Sequence, residues 1–180
     1  MSSDAREKLV RQLQGAYSGE LAAGYAYRGH WHSVRDPADR TRIRQIEADE
    51  WHHRDLVRGL LRQLGGKPSR MREVIFWCIG RAVAAFCHVG GWFAPMYGAG
   101  RLERNNIVEY EDAAVLAAEC GHSEMIDCLL MMAEVEWDHE AYFRSKVIGH
   151  PMRRIFKVWD APPARETIRE KFALAEKASA

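Results

Sequence analysis

The chain has almost no charge imbalance: 26 lysines and arginines against 25 acids leave a net charge of +1 over 180 residues. No basic footprint for nucleic acid is present, and no such partner is expected. Cysteines are few, and Cys78, Cys87, Cys120 and Cys128 make no Cys-x-x-Cys pair. That excludes rubredoxin-type clusters and fits reduced thiols better than a disulfide framework. A Gly-rich dinucleotide fingerprint is lacking, so any electrons used in chemistry must come from an external donor. No long apolar run is unbroken: the greasiest stretch, 74–100, contains Arg81, Gly90-Gly91 and Pro95, which is too interrupted to read as a membrane span. The first residues, Met-Ser-Ser-Asp-Ala-Arg-Glu-Lys, lack the apolar core of a secretory signal, and a cytoplasmic location is expected.

What is present is helical periodicity. Leu9, Leu13, Ala16, Tyr17, Glu20, Gly24, Tyr27 and Trp31 recur at steps of three and four, the stripe of an amphipathic helix. A turn follows at Asp36-Pro37, with Asp36 as N-cap and Pro37 at the first helical position. The second helix carries Ile43, Ile46, Glu50, His53, Val57, Leu60, Leu61 and Leu64 on one face and stops at Gly65-Gly66. A third helix is expected from Leu102 to about Cys120, ended by Gly121, and a fourth from Ser123 to about Ile148. Pro162-Pro163 precedes a short final helix over about 164–177. The length suits one domain, with a four-helix body over 1–150, a crossover at 67–100 and a tail at 151–180 that packs on the body or on a second copy in a homo-oligomer.

Two stretches read almost alike: Glu50-Trp51-His52-His53 and Glu136-Trp137-Asp138-His139. On a helix a residue and its third successor share a face, so each stretch offers a carboxylate and an imidazole to one point. A lone Glu-x-x-His is weak evidence, and a third one, Glu119 to His122, straddles a helix end and is set aside. The other two share the tryptophan, the helical phase and a partner glutamate one hairpin earlier, Glu20 and Glu109. Four carboxylates on apolar seams would cost several kcal/mol each if left as buried charges. Two divalent cations offset them, with His53 and His139 as neutral ligands. Carboxylate with imidazole suits iron, or manganese as the alternative, better than zinc.

In helix three Glu111 competes with Glu109, because Ile107, Val108, Val115 and Ala118 would place Glu111 on an apolar face; Glu109 is preferred for its hairpin spacing. Asp112 and Glu47 are candidates to hydrogen-bond a ligand imidazole, with a solvated surface position as the ordinary alternative.

This pattern resembles the ferritin-like di-iron carboxylate proteins, an all-α four-helix bundle of two helical hairpins joined by an apolar crossover. It is most similar to the demethoxyubiquinone hydroxylases, through Gly19-Glu20, Glu50 to His53, Pro68 before the crossover, Val108-Glu109 and Glu136 to His139. The resemblance covers roughly residues 5 to 145; the tail after His150 departs from it. It implies two iron ions held by Glu20, Glu50, His53, Glu109, Glu136 and His139. Tyr27 matches an inward tyrosine common beside such centres and is the candidate catalytic residue, with a satisfied core tyrosine as the plain alternative. The activity implied is a dioxygen-activating monooxygenase that hydroxylates a quinone-like or other small apolar substrate. A rubrerythrin-like peroxidase or a ferritin-like iron-oxidation and storage role is the alternative. Residues 74–100 are either a buried crossover or a surface that meets a membrane peripherally and admits the substrate.

Overall fold

The structure is a computed structural model that describes residues 3–179. Six α-helices run in order: α1 (Ser3–Ser33), α2 (Pro37–Gln63), α3 (Arg70–Val89), α4 (Phe93–Glu119), α5 (Ile126–Ile148) and α6 (Thr167–Ser179). Short 3-10 turns occupy Ser123–Met125 and Pro151–Arg154, and no strand occurs among the described residues. The all-α class expected from the sequence holds. By its contacts the chain divides into two compact units, an N-terminal unit Val10–Pro95 and a C-terminal unit Met96–Ala180 that includes Met1–Leu9.

In the N-terminal unit α1 and α2 form a hairpin whose turn follows the sequence chemistry. The Asp36 carboxylate accepts from the Asp39 backbone N–H at 2.9 Å, and Pro37 opens α2. At the other end Gly65 takes φ 65°, a left-handed conformation that stops α2 with little strain. The hairpin core is the stripe read from the sequence: Leu13 and Tyr27 on α1, and Ile43, Ile46, Val57 and Leu61 on α2, are all buried.

The crossover is where the structure differs from expectation. Residues 70–89 form one continuous helix, α3, broken only at Gly90-Gly91, where Gly91 takes φ 72°. Of its residues only Gly80 and Cys87 are buried. Small residues bring it close to α1: a Cβ on Gly80 would lie 2.6 Å from the Ala22 carbonyl oxygen, and one on Gly29 would lie 2.4 Å from the Ala84 Cα. Arg54 ties α2 to α3 through Glu73, which also accepts from the Ser18 hydroxyl at 2.9 Å.

The C-terminal unit is a second hairpin, α4 and α5, turned at Gly121 (φ 80°). Helix α4 starts at Phe93 rather than at the expected Leu102, because Pro95 falls in its first turn, where an N–H has no helical acceptor to lose. The tail packs on this hairpin. Trp137 Nε1 donates to the Pro163 carbonyl at 2.8 Å, the Tyr97 hydroxyl donates to the Lys157 carbonyl at 2.8 Å, and Arg169 on α6 pairs with Asp127 and Glu134, both at 2.7 Å.

Candidate metal centre

Each unit gathers one buried triad. In the N-terminal unit α1 supplies Glu20 and α2 supplies Glu50 and His53, exposed by 4%, 0% and 1%. The three offer oxygen and nitrogen atoms within 4.8 Å of one another, with Glu20 Oε1 4.0 Å from His53 Nδ1. Depth explains the meeting: Glu20 and Glu50 lie 16 residues before and 14 residues after Asp36, so equal rise along both helices brings them level.

In the C-terminal unit the triad is Glu103, Glu136 and His139, each with no exposed surface. Their donor atoms also lie within 4.8 Å of one another, and Glu136 Oε2 is 3.6 Å from His139 Nδ1. Asn106 Nδ2 donates to Glu103 Oε2 at 3.1 Å and reaches Glu136 Oε2 at 3.5 Å. Burial pushes the Glu103 carboxyl well above its ordinary range, and the charge of Glu136 and a hydrogen bond between the two carboxyls push it further. His139 and Asn106 pull the other way.

On α4 the structure brings Glu103, and not the expected Glu109, into the buried cluster. Glu109 is only half-buried and stands outside the triad, although burial and the nearby charges of Glu136 and Asp112 raise its carboxyl pKa. Glu111 is half-buried and faces Lys171 at 3.8 Å. Two causes combine. The turn after Gly121 contains a 3-10 segment, which advances about 2.0 Å per residue instead of 1.5, so α5 travels about 24 Å from the turn to reach Glu136. Glu103, about 27 Å back along α4, lies nearer that depth than Glu109, about 18 Å back. The second cause is phase: Glu103, Ile107, Tyr110, Ala114 and Ala117 make the buried stripe of α4, with Glu109 off it. The signal was in the sequence, but a helix begun at Leu102 leaves Glu103 in its first turn and hides the stripe.

Tyr27 is buried two turns beyond Glu20 on α1, its ring stacked at 6.4 Å from that of His30. Glu47 is not a solvated surface charge. It is buried and accepts from Arg28 Nε at 2.8 Å, Trp31 Nε1 at 2.6 Å and Trp51 Nε1 at 3.1 Å. Asp112 is exposed.

Comparison with known proteins matches residues 7–104 to the family model described as ubiquinone biosynthesis protein COQ7. The chain belongs to the COQ7 family. Two curated relatives are both named 3-demethoxyubiquinol 3-hydroxylase, from Bordetella parapertussis and Bordetella bronchiseptica. Each is 32% identical over 80 residues, a stretch that covers 44% of this chain and 35% of the relative. No solved structure matches the chain. The COQ7 match takes in Glu20, Glu50, His53 and Glu103 and stops before Glu136 and His139, so the second Glu-x-x-His rests on its own geometry.

The donor set fits the metal that the COQ7 family implies. Four carboxylates and two imidazoles, all buried, give hard oxygen and borderline nitrogen ligands without thiolate, the chemistry of iron or manganese. Burying that many acids is costly without cations. Burial and the charge of Glu136 raise the Glu103 pKa, and a cation held by the two carboxylates would offset that cost.

Proposed function

We propose that Glu20, Glu50, His53, Glu103, Glu136 and His139 hold two iron ions, and that the chain is a di-iron monooxygenase hydroxylating a quinone-like ring of the kind named for its relatives. The observation that carries this reading is the pair of matched triads, each with one single glutamate and one Glu-x-x-His. Iron, when bound, supplies the redox chemistry with dioxygen. The chain's own residues balance its charge, keep the ligands dry and orient them. Tyr27, buried seven residues beyond Glu20 on α1, is the residue to which we assign a phenolic hydrogen bond in that interior. Electrons come from an external donor.

Substrate access is assigned to α3. Among the described residues no helix is long and apolar enough to cross a membrane. Yet α3 turns its small residues inward and leaves Met71, Val74, Ile75, Trp77 and Val89 exposed by 46–82%. This reverses the usual amphipathic order. An apolar face of that size supports peripheral contact with a lipid surface, from which a greasy quinone would be taken.

The test is oxygen uptake by iron-loaded protein with a reductant and a short-chain demethoxyquinol, with product identified by mass spectrometry. Quinol-dependent uptake with one oxygen added to the ring supports the reading. Peroxide turnover with no ring product contradicts it and supports the rubrerythrin-like alternative. For α3, Val74→Asp with Trp77→Ser should abolish sedimentation with phospholipid vesicles while metal content is unchanged; undiminished sedimentation would count against lipid contact.

A further inference from the structure

Resting on the metal-binding reading above, we propose that the C-terminal tail is part of the metal centre: Trp159 is a positioning residue that fixes the Glu136–His139 face of α5 by holding the buried carboxylate of Glu140. The argument starts in the N-terminal unit. There Trp51, the neighbour of Glu50, lies on Gly24, one turn after Glu20; a Cβ on Gly24 would stand 2.6 Å from its ring. Its indole N–H donates to the buried Glu47. One tryptophan thus fills a glycine notch beside the single glutamate ligand and ties down a second carboxylate on the helix that carries Glu-x-x-His.

The C-terminal unit needs the same two contacts and cannot get them from the matching residue. Trp137, the neighbour of Glu136, is half-buried and turned to the Pro163 carbonyl. Trp159 supplies them from the tail. Its ring lies on Gly100, one turn before Glu103, where a Cβ would stand 2.5 Å from the ring. Its Nε1 donates to Glu140 Oε1 at 2.6 Å. Glu140 follows His139 directly and lies one turn beyond Glu136, with no exposed surface. Oε1 also accepts from Arg144 Nε at 3.0 Å, and Oε2 is buried without a hydrogen bond. The tail is strapped to keep the indole there: Tyr97 bonds the Lys157 carbonyl, Arg104 reaches the Asp160 carbonyl at 3.3 Å, and the Tyr97 ring meets the Trp159 ring edge-on at 5.3 Å.

A buried carboxylate held by two donors sets the rotation of α5 about its axis, and with it the aim of Glu136 and His139. Without the indole, Glu140 keeps only Arg144, and water gains the notch at Gly100. A plain packing role for Trp159 would lower stability and weaken both metal positions alike; a positioning role weakens one.

The experiment is anaerobic titration of the full chain with cobalt(II), followed by calorimetry and visible absorption, for the wild type, Trp159→Phe and Glu140→Gln. The wild type is expected to take two ions. Trp159→Phe keeps a ring on Gly100 but loses the N–H. It should bind one ion as the wild type does and the other at least tenfold more weakly, with altered visible bands for that ion and unchanged far-ultraviolet circular dichroism. Glu140→Gln, nearly isosteric, should shift the same ion and decides the matter if Trp159→Phe does not fold. Two ions at wild-type affinity and spectrum in both variants, or equal weakening of both ions, overturns the proposal. A wild type that binds no cobalt overturns the metal reading itself, and this inference with it.

Discussion

Glu103→Gln separates the acid that opposes folding from the ligand that holds metal. Glu103 has no exposed surface and shares a hydrogen bond with Glu136, so in metal-free protein two carboxyls compete for one proton in a dry site. Glutamine keeps the volume and an oxygen to accept from Asn106, and its amide can donate to Glu136. Replacing one member of such a like-charged buried pair by a neutral isostere removes the repulsion and the burial cost that raise the Glu103 pKa, worth about 1.4 kcal/mol for each unit of that rise. The sign with pH follows from the raised pKa. Below the unfolded value Glu103 is protonated in both states and contributes nothing; as pH rises above it the unfolded chain loses the proton first, so folding is progressively opposed. Urea denaturation in the presence of a chelator should therefore show the variant more stable than wild type at pH 8, with the gap shrinking toward pH 5. With metal supplied the order reverses, because the amide is a poorer ligand than a carboxylate. A variant that is less stable than wild type at pH 8 without metal, or a gap that does not change with pH, would refute the reasoning.

Glu109→Gln should retain two metal ions per chain, measured by elemental analysis after desalting, because Glu109 stands outside both triads. Gly29→Ala should destabilise by at least about 1–3 kcal/mol in urea denaturation, since its Cβ would meet the Ala84 backbone at 2.4 Å. Burial holds His30 down at about 4, against the upward pull of Asp39. Above pH 6.5 it is neutral folded and unfolded; as pH falls from there to 4 the unfolded chain gains a proton that the folded chain refuses, removing roughly 3 kcal/mol. His30→Gln should lack that part of the acid sensitivity when both proteins are unfolded across the range.

Much of this was legible in the sequence where local chemistry and tertiary packing agree. The Asp36-Pro37 turn, the Gly65 stop and the stripe through Glu20 and Glu50 obey local rules, and the structure follows them. Legibility failed where a rule was applied to the wrong boundary. Pro95 read as a break inside the crossover, yet it lies in the first turn of α4, and moving that start nine residues upstream turns Glu103 into a mid-helix acid. The symmetry of the two hairpins misled as well, since Glu103 and Glu109 are equally far from perfect symmetry with Glu136 about Gly121, and the buried phase of α4 separates them. The stretch 74–100 looked broken because Arg81, Gly90-Gly91 and Pro95 interrupt an apolar run; in the structure the arginine sits exposed on α3, the glycine pair separates α3 from α4, and Pro95 lies in the first turn of α4. The pairing of Trp159 with Glu140 spans 19 residues with no periodic signal, and only packing shows it.

The most direct measurement is metal content and visible absorption of the full chain purified without chelators and reconstituted anaerobically with ferrous iron, then exposed to air. Two irons per chain and the near-ultraviolet absorption of an oxo-bridged ferric pair are predicted, with both lost in Glu136→Ala while helicity persists. Fewer than one iron per chain in the wild type, or two irons retained in Glu136→Ala, would contradict the account.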